Sequence, residues 1–294
     1  MDSTQMRQHA TIPQIAPPES QRKALVKLLG DEDPAIYQAV RDKIISCGES
    51  ARDWLRPHTL SADPLLRRRA QEIIRHFDRL TADNQFLSFC LKEGDDCDME
   101  RGAWLLARTQ FPEINTEAYS ALLDSFAGEL RLRIETLIRP KRIIETMAEF
   151  ITDDLGFTGN EDNYYDPENS YLNRVLDRRM GNPINLCMVY LLIARRLKLP
   201  MAGISFPGHF LCRHQTASDE IYIDAFHKGK MLTKADCIHH LVRGNFDLHE
   251  HYLSPVSSRK ILARVCGNLH QIYAKLGQTD EATKIQRYLI ALAR

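Results

Sequence analysis

Residues 169–200 read NSYLNRVLDRRMGNPINLCMVYLLIARRLKLP, and residues 206–226 read FPGHFLCRHQTASDEIYIDAF. Pro183 suits the first turn of a helix, where its missing N–H would have had no intrahelical partner, and Asn182 or Gly181 can cap that opening. The helix runs through Arg195-Arg196 and stops before Pro200. Leu186, Met188, Val189, Leu191, Leu192 and Ile193 cover it nearly all round, which places it centrally in a core. Upstream the chain is crowded with Gly, Asn, Asp and Pro. It reads as loop, with one short helix from Ser170 to Arg178 started by Asn169 or Ser170. Downstream the apolar period changes to two. Phe210-Leu211-Cys212 and Ile221-Tyr222-Ile223 read as strands joined by a polar turn at QTASDE.

A turn centred on Thr216-Ala217 would pair residues whose numbers sum to 433. Arg213 then faces Glu220, Leu211 faces Tyr222, and His209 faces Asp224. Cys212 faces Ile221 and Phe210 faces Ile223 on the opposite, wholly apolar side. Opposed charges on one face and apolar pairs on the other are what stable strand pairing prefers. The register sets the His209 and Asp224 Cβ atoms roughly 5 Å apart. A carboxylate beside an imidazole fixes its tautomer and supports the imidazolium, which is the base-and-orienter half of a nucleophilic triad. The same pair also serves as a structural hydrogen bond pinning two strands. A third member would be a thiol near the start of a buried helix, where the dipole favours thiolate. Cys187 is placed there. Asn185, in the same first turn, can donate to an oxyanion or cap backbone.

The order of these features, a central helix with a cysteine near its start, then a His strand and an Asp strand, resembles the transglutaminase-like fold. The G-N-P-I-N-L, P-G-H-F and I-D-A-F segments in sequence resemble the bacterial SirB-related branch of that superfamily, over about residues 100 to 290. The resemblance implies a cysteine-protease-like core, a Cys187, His209 and Asp224 triad, and C-terminal helices of tetratricopeptide type. One departure stands out. Cys187 precedes Pro200 by 13 residues, whereas the active enzymes of the superfamily have roughly one helical turn more in that interval. Gapless alignment puts the nucleophile at Pro183, which has no reactive group. Cys187 lies one turn deeper, as a displaced nucleophile or as a buried core thiol.

The flanks are helical. Asp33-Pro34 before AIYQAVRDKIISCG returns 30 residues later as Asp63-Pro64 before LLRRRAQEIIRHF. Each is a helix start, and the apolar positions Ile36, Val40, Ile44 and Leu66, Ala70, Ile73, Ile74 recur at helical spacing. The pair resembles HEAT-like repeats, which bury their faces by stacking and usually form interaction surfaces. Helices continue from Asp83 to Leu137 with a break at Phe111-Pro112. At the other end, RKILARVCGNLHQIYAKLGQTDEATKIQRYLIAL reads as two helices about a turn at Gly277.

The expected class is therefore α+β and mostly helical, with a small antiparallel sheet. Its expected parts are a flexible Pro-bearing tail over 1–20, a helical region over 21–138, a transglutaminase-like core over 139–255 and a helical hairpin over 256–294. Lys and Arg together number 39, as do Asp and Glu. That balance gives no basic face to displace counterions from nucleic acid. The longest apolar run, Met188–Ala194, is far short of a membrane span, and the N-terminus offers no apolar signal segment. Seven cysteines without pairing pattern fit reduced thiols in the cytoplasm. Cys237, His239, His240, His249 and His251 cluster in sequence but lack the spacing of a recognised zinc motif, so no metal or cofactor is expected. Two functions fit. One is a protein-interaction or regulatory module binding a protein or peptide segment. The other is a thiol hydrolase, deamidase or acyl transferase using Cys187, His209 and Asp224.

Overall fold

The computed structural model describes residues 17–217, 219–247 and 249–294. Residues 1–16, most of the expected tail, lie outside them. The first helix, α1 (Glu19–Leu29), begins two residues inside the tail's expected limit. The chain divides into two compact units at Thr81. The first contains α1, α2 (Pro34–Ser46), α3 (Ser50–Leu55) and the N-terminal part of the long helix α4 (Pro64–Lys92).

Both Asp-Pro pairs start helices. The Asp33 carboxylate accepts the Ala35 N–H at 2.8 Å and that of Asp63 accepts the Leu65 N–H at 2.9 Å, and each proline occupies the first helical position. Val40 and Ile44 pack with Leu25, Leu29, Ala70, Ile73 and Phe77 in one core. Ile36, expected on the same face, is exposed. A spacing of four drifts about 40° per step on a 3.6-residue helix, so Ile36 sits about 80° round from Ile44. Buried Arg69 stacks over Tyr37 at 4.3 Å and donates to the Leu29 carbonyl at 2.9 Å, which satisfies the open end of α1.

The second unit begins in α4 and continues through α5 (Met99–Arg108), α6 (Thr116–Ile134), α7 (Pro140–Glu149) and α8 (Leu172–Arg178). Its centre is α9 (Pro183–Leu197), in which every residue from Pro183 to Ala194 is buried. Around it the chain closes with α10 (Lys234–Arg243), α11 (Ser258–Lys275) and α12 (Thr279–Leu292). Trp104, Leu106, Phe126 and Leu130 share the core of α9, and so do Tyr273, Ile285 and Tyr288. The boundaries expected at 138 and 255 therefore fall inside one core. Helices α5, α6, α11 and α12 read as separate pieces because an amphipathic helix does not state in sequence which neighbour its apolar face meets.

A two-stranded parallel ladder joins β1 (Thr158–Gly159) to β2 (Met180–Gly181). It holds the loop before α9 to the loop after α7. Gly159 is required there, since a Cβ would come within 2.6 Å of the Phe226 carbonyl oxygen. The main sheet is an antiparallel meander of β3 (Met201–Ile204), β4 (Leu211–Gln215), β5 (Glu220–Asp224) and β6 (Lys230–Leu232). Phe210, Cys212 and Ile223 join the α9 core, while Leu211 and Tyr222 pack with Cys237 and Leu241 of α10.

The β4–β5 register differs from expectation by two residues. Cys212 pairs with Ile223 and Arg213 with Tyr222, because the loop spans Thr216–Asp219, with the Thr216 N–H donating to the Asp219 carbonyl at 2.9 Å. A shift of two preserves which face each side chain takes. Arg213 still meets Glu220, now diagonally at 3.4 Å. Among the described residues no helix is long and apolar enough to cross a membrane.

Candidate functional site

Asp224 closes β5, with 7% of its surface exposed. His209 precedes β4, beyond the last paired residue, where Gly208 at φ +69° turns the chain back toward the sheet. The turn carries the imidazole to Asp224 despite the shifted register, and the Nε2 to Oδ1 distance is 2.8 Å. Oδ1 also accepts the backbone N–H groups of Phe226 and His227, at 3.1 and 3.2 Å. The His227 ring meets Oδ2 from the other side, with Nδ1 at 2.7 Å. Burial acts to raise the Asp224 pKa, but the hydrogen bonds and charges of His209, then of His227, outweigh it and hold the carboxyl at about 2. His227 was not singled out from sequence. Its position three residues after Asp224, just past a strand end, was the available signal.

Cys187 is elsewhere in the core. It is fully buried in α9, its Sγ donating to the Phe210 carbonyl at 3.5 Å, and its own carbonyl receives the Cys212 thiol at 3.5 Å. Burial is the main cause that pushes its pKa well above the ordinary thiol range, and the Cys212 thiol and the Asp224 carboxylate push it further. Asn185 is buried too, with its N–H donating to the Asn182 side chain at 2.9 Å and its Nδ2 to the Ser170 carbonyl at 3.0 Å. One of its two amide N–H groups is thus engaged with backbone, and the side chain presents almost no surface to an oxyanion. His209 and Asp224 are brought together, while Cys187 and Asn185 serve the interior.

What the imidazole does face is a cleft of about 230 Å³. Pro183 and Ile184 at the start of α9 form part of its wall, with Tyr164 and Tyr165 from the preceding loop and Arg264, Asn268 and Gln271 from α11. Pro183, the first residue of α9, is buried and lines this wall.

A set of buried amides fixes the loop that carries the tyrosines. Asn169 is wholly buried. Its Nδ2 donates to the carbonyls of Asn163 and Tyr164 at 2.8 and 3.2 Å, and its Oδ1 accepts the Asn160 amide at 2.9 Å. Asn182 donates to the Ser170 hydroxyl at 2.8 Å while capping α9. Read as sequence, these asparagines are turn residues; only their burial shows them to be a framework. Asn169→Leu should cost roughly 3 kcal/mol, because it orphans the Asn160 amide and two part-buried carbonyls at about 1–3 kcal/mol each with partial relief by water. Denaturant unfolding measures it, and a loss under about 1 kcal/mol would show that the network does not carry the loop.

Fold and site together define a transglutaminase-like protein in which the histidine and aspartate stand as a pair. The family model described as "Transglutaminase-like superfamily" matches residues 117–267, and the chain belongs to that superfamily. It is similar to a UPF0162 protein of Xylella fastidiosa (strain 9a5c), 34% identical over 197 residues, or 65% of this chain and 70% of that one. A UPF0162 protein of Pseudomonas aeruginosa is 29% identical over 209 residues, covering 69% and 74% of the two chains. F-box only protein 21 of Homo sapiens is 36% identical over 173 residues, 55% of this chain but 26% of that longer one. No solved structure matches.

Proposed function

We propose that this chain is a non-catalytic binding module of the SirB-related branch, which holds an extended protein segment in the cleft beside His209. The observation that carries this reading is the exchange at the start of α9. Pro183 lines the cleft, and the thiol one turn further on is buried against the Phe210 carbonyl. A nucleophile must be exposed, near its base and partly ionised, and Cys187 is buried and held protonated.

The cleft's lining suits a peptide. Asn268 and Gln271 can pair with backbone amides, Tyr164 and Tyr165 offer aromatic faces, and exposed Arg264 favours an acidic side chain. A match that spans about a quarter of a longer F-box chain is consistent with a module used in different settings. The N-terminal helices with paired Asp-Pro starts act in this reading as a HEAT-like surface, and α11 with α12 as a tetratricopeptide-type hairpin. Seven free cysteines agree with a cytoplasmic site of action. The competing reading, a thiol hydrolase, deamidase or acyl transferase, draws on the retained His209–Asp224 pair.

Selection of peptides from a displayed random library against the full chain should enrich acidic sequences. Arg264→Glu should lower their affinity by about tenfold or more, the loss of a charge-assisted contact worth 1.5–3 kcal/mol. Enrichment that is indifferent to both Arg264→Glu and Tyr165→Ala would remove the cleft from the interaction.

A further inference from the structure

We infer that His209, Asp224 and His227 form a binding site for a first-row divalent cation of the zinc type, beside the cleft that His209 lines. Among the described residues this is the group whose donor atoms converge: His209, Asp224 and His227 each offer one ligand atom, all within 4.8 Å of one another. Two imidazoles and a carboxylate are a donor set that zinc and its neighbours favour.

With metal–nitrogen bonds of roughly 2.0–2.1 Å in a tetrahedral arrangement, two imidazole centres stand roughly 5 Å apart. The His209 and His227 ring centres are 5.6 Å apart, with their planes inclined at 44°. The carboxylate is already divided between two tasks. Oδ1 meets two backbone N–H groups and the His209 ring, whereas Oδ2 meets the His227 ring. Backbone N–H groups that hold a carboxylate between two imidazoles are outer-shell contacts of the kind that orient a metal-binding carboxylate. His209 is mostly buried and anchored, while the His227 side chain is 54% exposed. The ion's fourth position therefore opens to solvent on the His227 side. An ion would replace both ring-to-carboxylate hydrogen bonds. His209 would then carry its proton on Nδ1 and His227 on Nε2, the tautomers opposite to those that donate to Asp224. The inference is independent of what the cleft binds, and it stands or falls without the peptide reading.

Calorimetric titration of the full, metal-stripped chain with zinc chloride should give one ion per chain. His227→Ala, a change at a half-exposed side chain, should weaken binding by more than about 100-fold, beyond the 10–100-fold that outer-shell changes cost. His209→Ala should do the same, while the double change His249→Ala, His251→Ala should leave affinity unaltered. Cobalt as a second probe should show ligand-field bands without thiolate charge-transfer absorption. The inference is overturned by absence of a zinc isotherm, by affinity unchanged in His227→Ala, or by a cobalt–thiolate band that places the ion on cysteine.

Discussion

Native protein treated with iodoacetamide at neutral pH is expected to leave Cys187 unmodified while half-buried Cys47 reacts to completion. Two independent barriers act on Cys187. The thiolate is the reactive form, and burial pushes the Cys187 pKa well above the ordinary thiol range, so very little of it is ionised at neutral pH. The reagent must also reach a side chain with no exposed surface, one turn inside α9. Reaching it means opening the core, and an opening free energy near 5 kcal/mol alone slows labelling by more than about a thousandfold. Mass-spectrometric mapping after a time course reads both sites in one sample, and denaturation should release all seven cysteines for modification. Cys187→Ser should leave peptide binding intact, with a modest stability loss from placing a hydroxyl among apolar neighbours. Rapid stoichiometric labelling of Cys187 that is lost in His209→Ala would falsify the non-catalytic reading and assign the chain to thiol chemistry.

Removing Asp224 is expected to produce the largest stability loss of any single change at the site, about 3–5 kcal/mol for Asp224→Ala. The carboxylate is buried and accepts from two imidazoles and two backbone N–H groups, so its deletion leaves several donors without a partner. The effect carries a pH dependence of definite sign. The folded-state pKa, about 2, is depressed below the ordinary carboxylate value near 3.9. The folded protein therefore holds this proton less readily than the unfolded chain. The stabilisation is complete above about pH 5 and is lost as the pH falls through the window from about 4 to 2. Comparing wild type with Asp224→Asn across that window should show the gap closing by roughly 2 kcal/mol, since one pKa unit is about 1.4 kcal/mol. A gap that stays constant with pH would mean that the carboxylate's charge contributes nothing and that its shape alone matters.

Several features of this chain are legible without coordinates because they depend on local chemistry. Asp33-Pro34 and Asp63-Pro64 state helix starts outright, since a capping carboxylate and a fixed φ act within one turn. The all-round apolar run from Leu186 to Ile193 requires a central helix, and that is where it lies. The face assignment of the hairpin survived a register shift of two, because side-chain alternation has period two. The meeting of His209 with Asp224 survived as well, through the Gly208 turn, although the direct cross-strand pairing that suggested it does not occur.

Other features depended on distances between segments remote in sequence. Whether Cys187 is a nucleophile or a core thiol turns on which side of α9 meets the sheet, and that is set by Phe210 and Cys212 packing over it. The asparagines of the 160–185 stretch look like turn residues until their burial and mutual hydrogen bonds are known. His227 gained meaning only when the turn after β5 brought its ring to the carboxylate already bound by His209. The division at Thr81 and the single core joining α5 to α12 were also unreadable, because an apolar stripe specifies that a helix is buried and not what buries it. The sequence by itself determined the helices, the strand faces and the superfamily resemblance, all set by interactions within a few residues. Only the tertiary structure decided which side chains line the cleft and which are spent in the core, because packing at close distance fixes both exposure and ionisation.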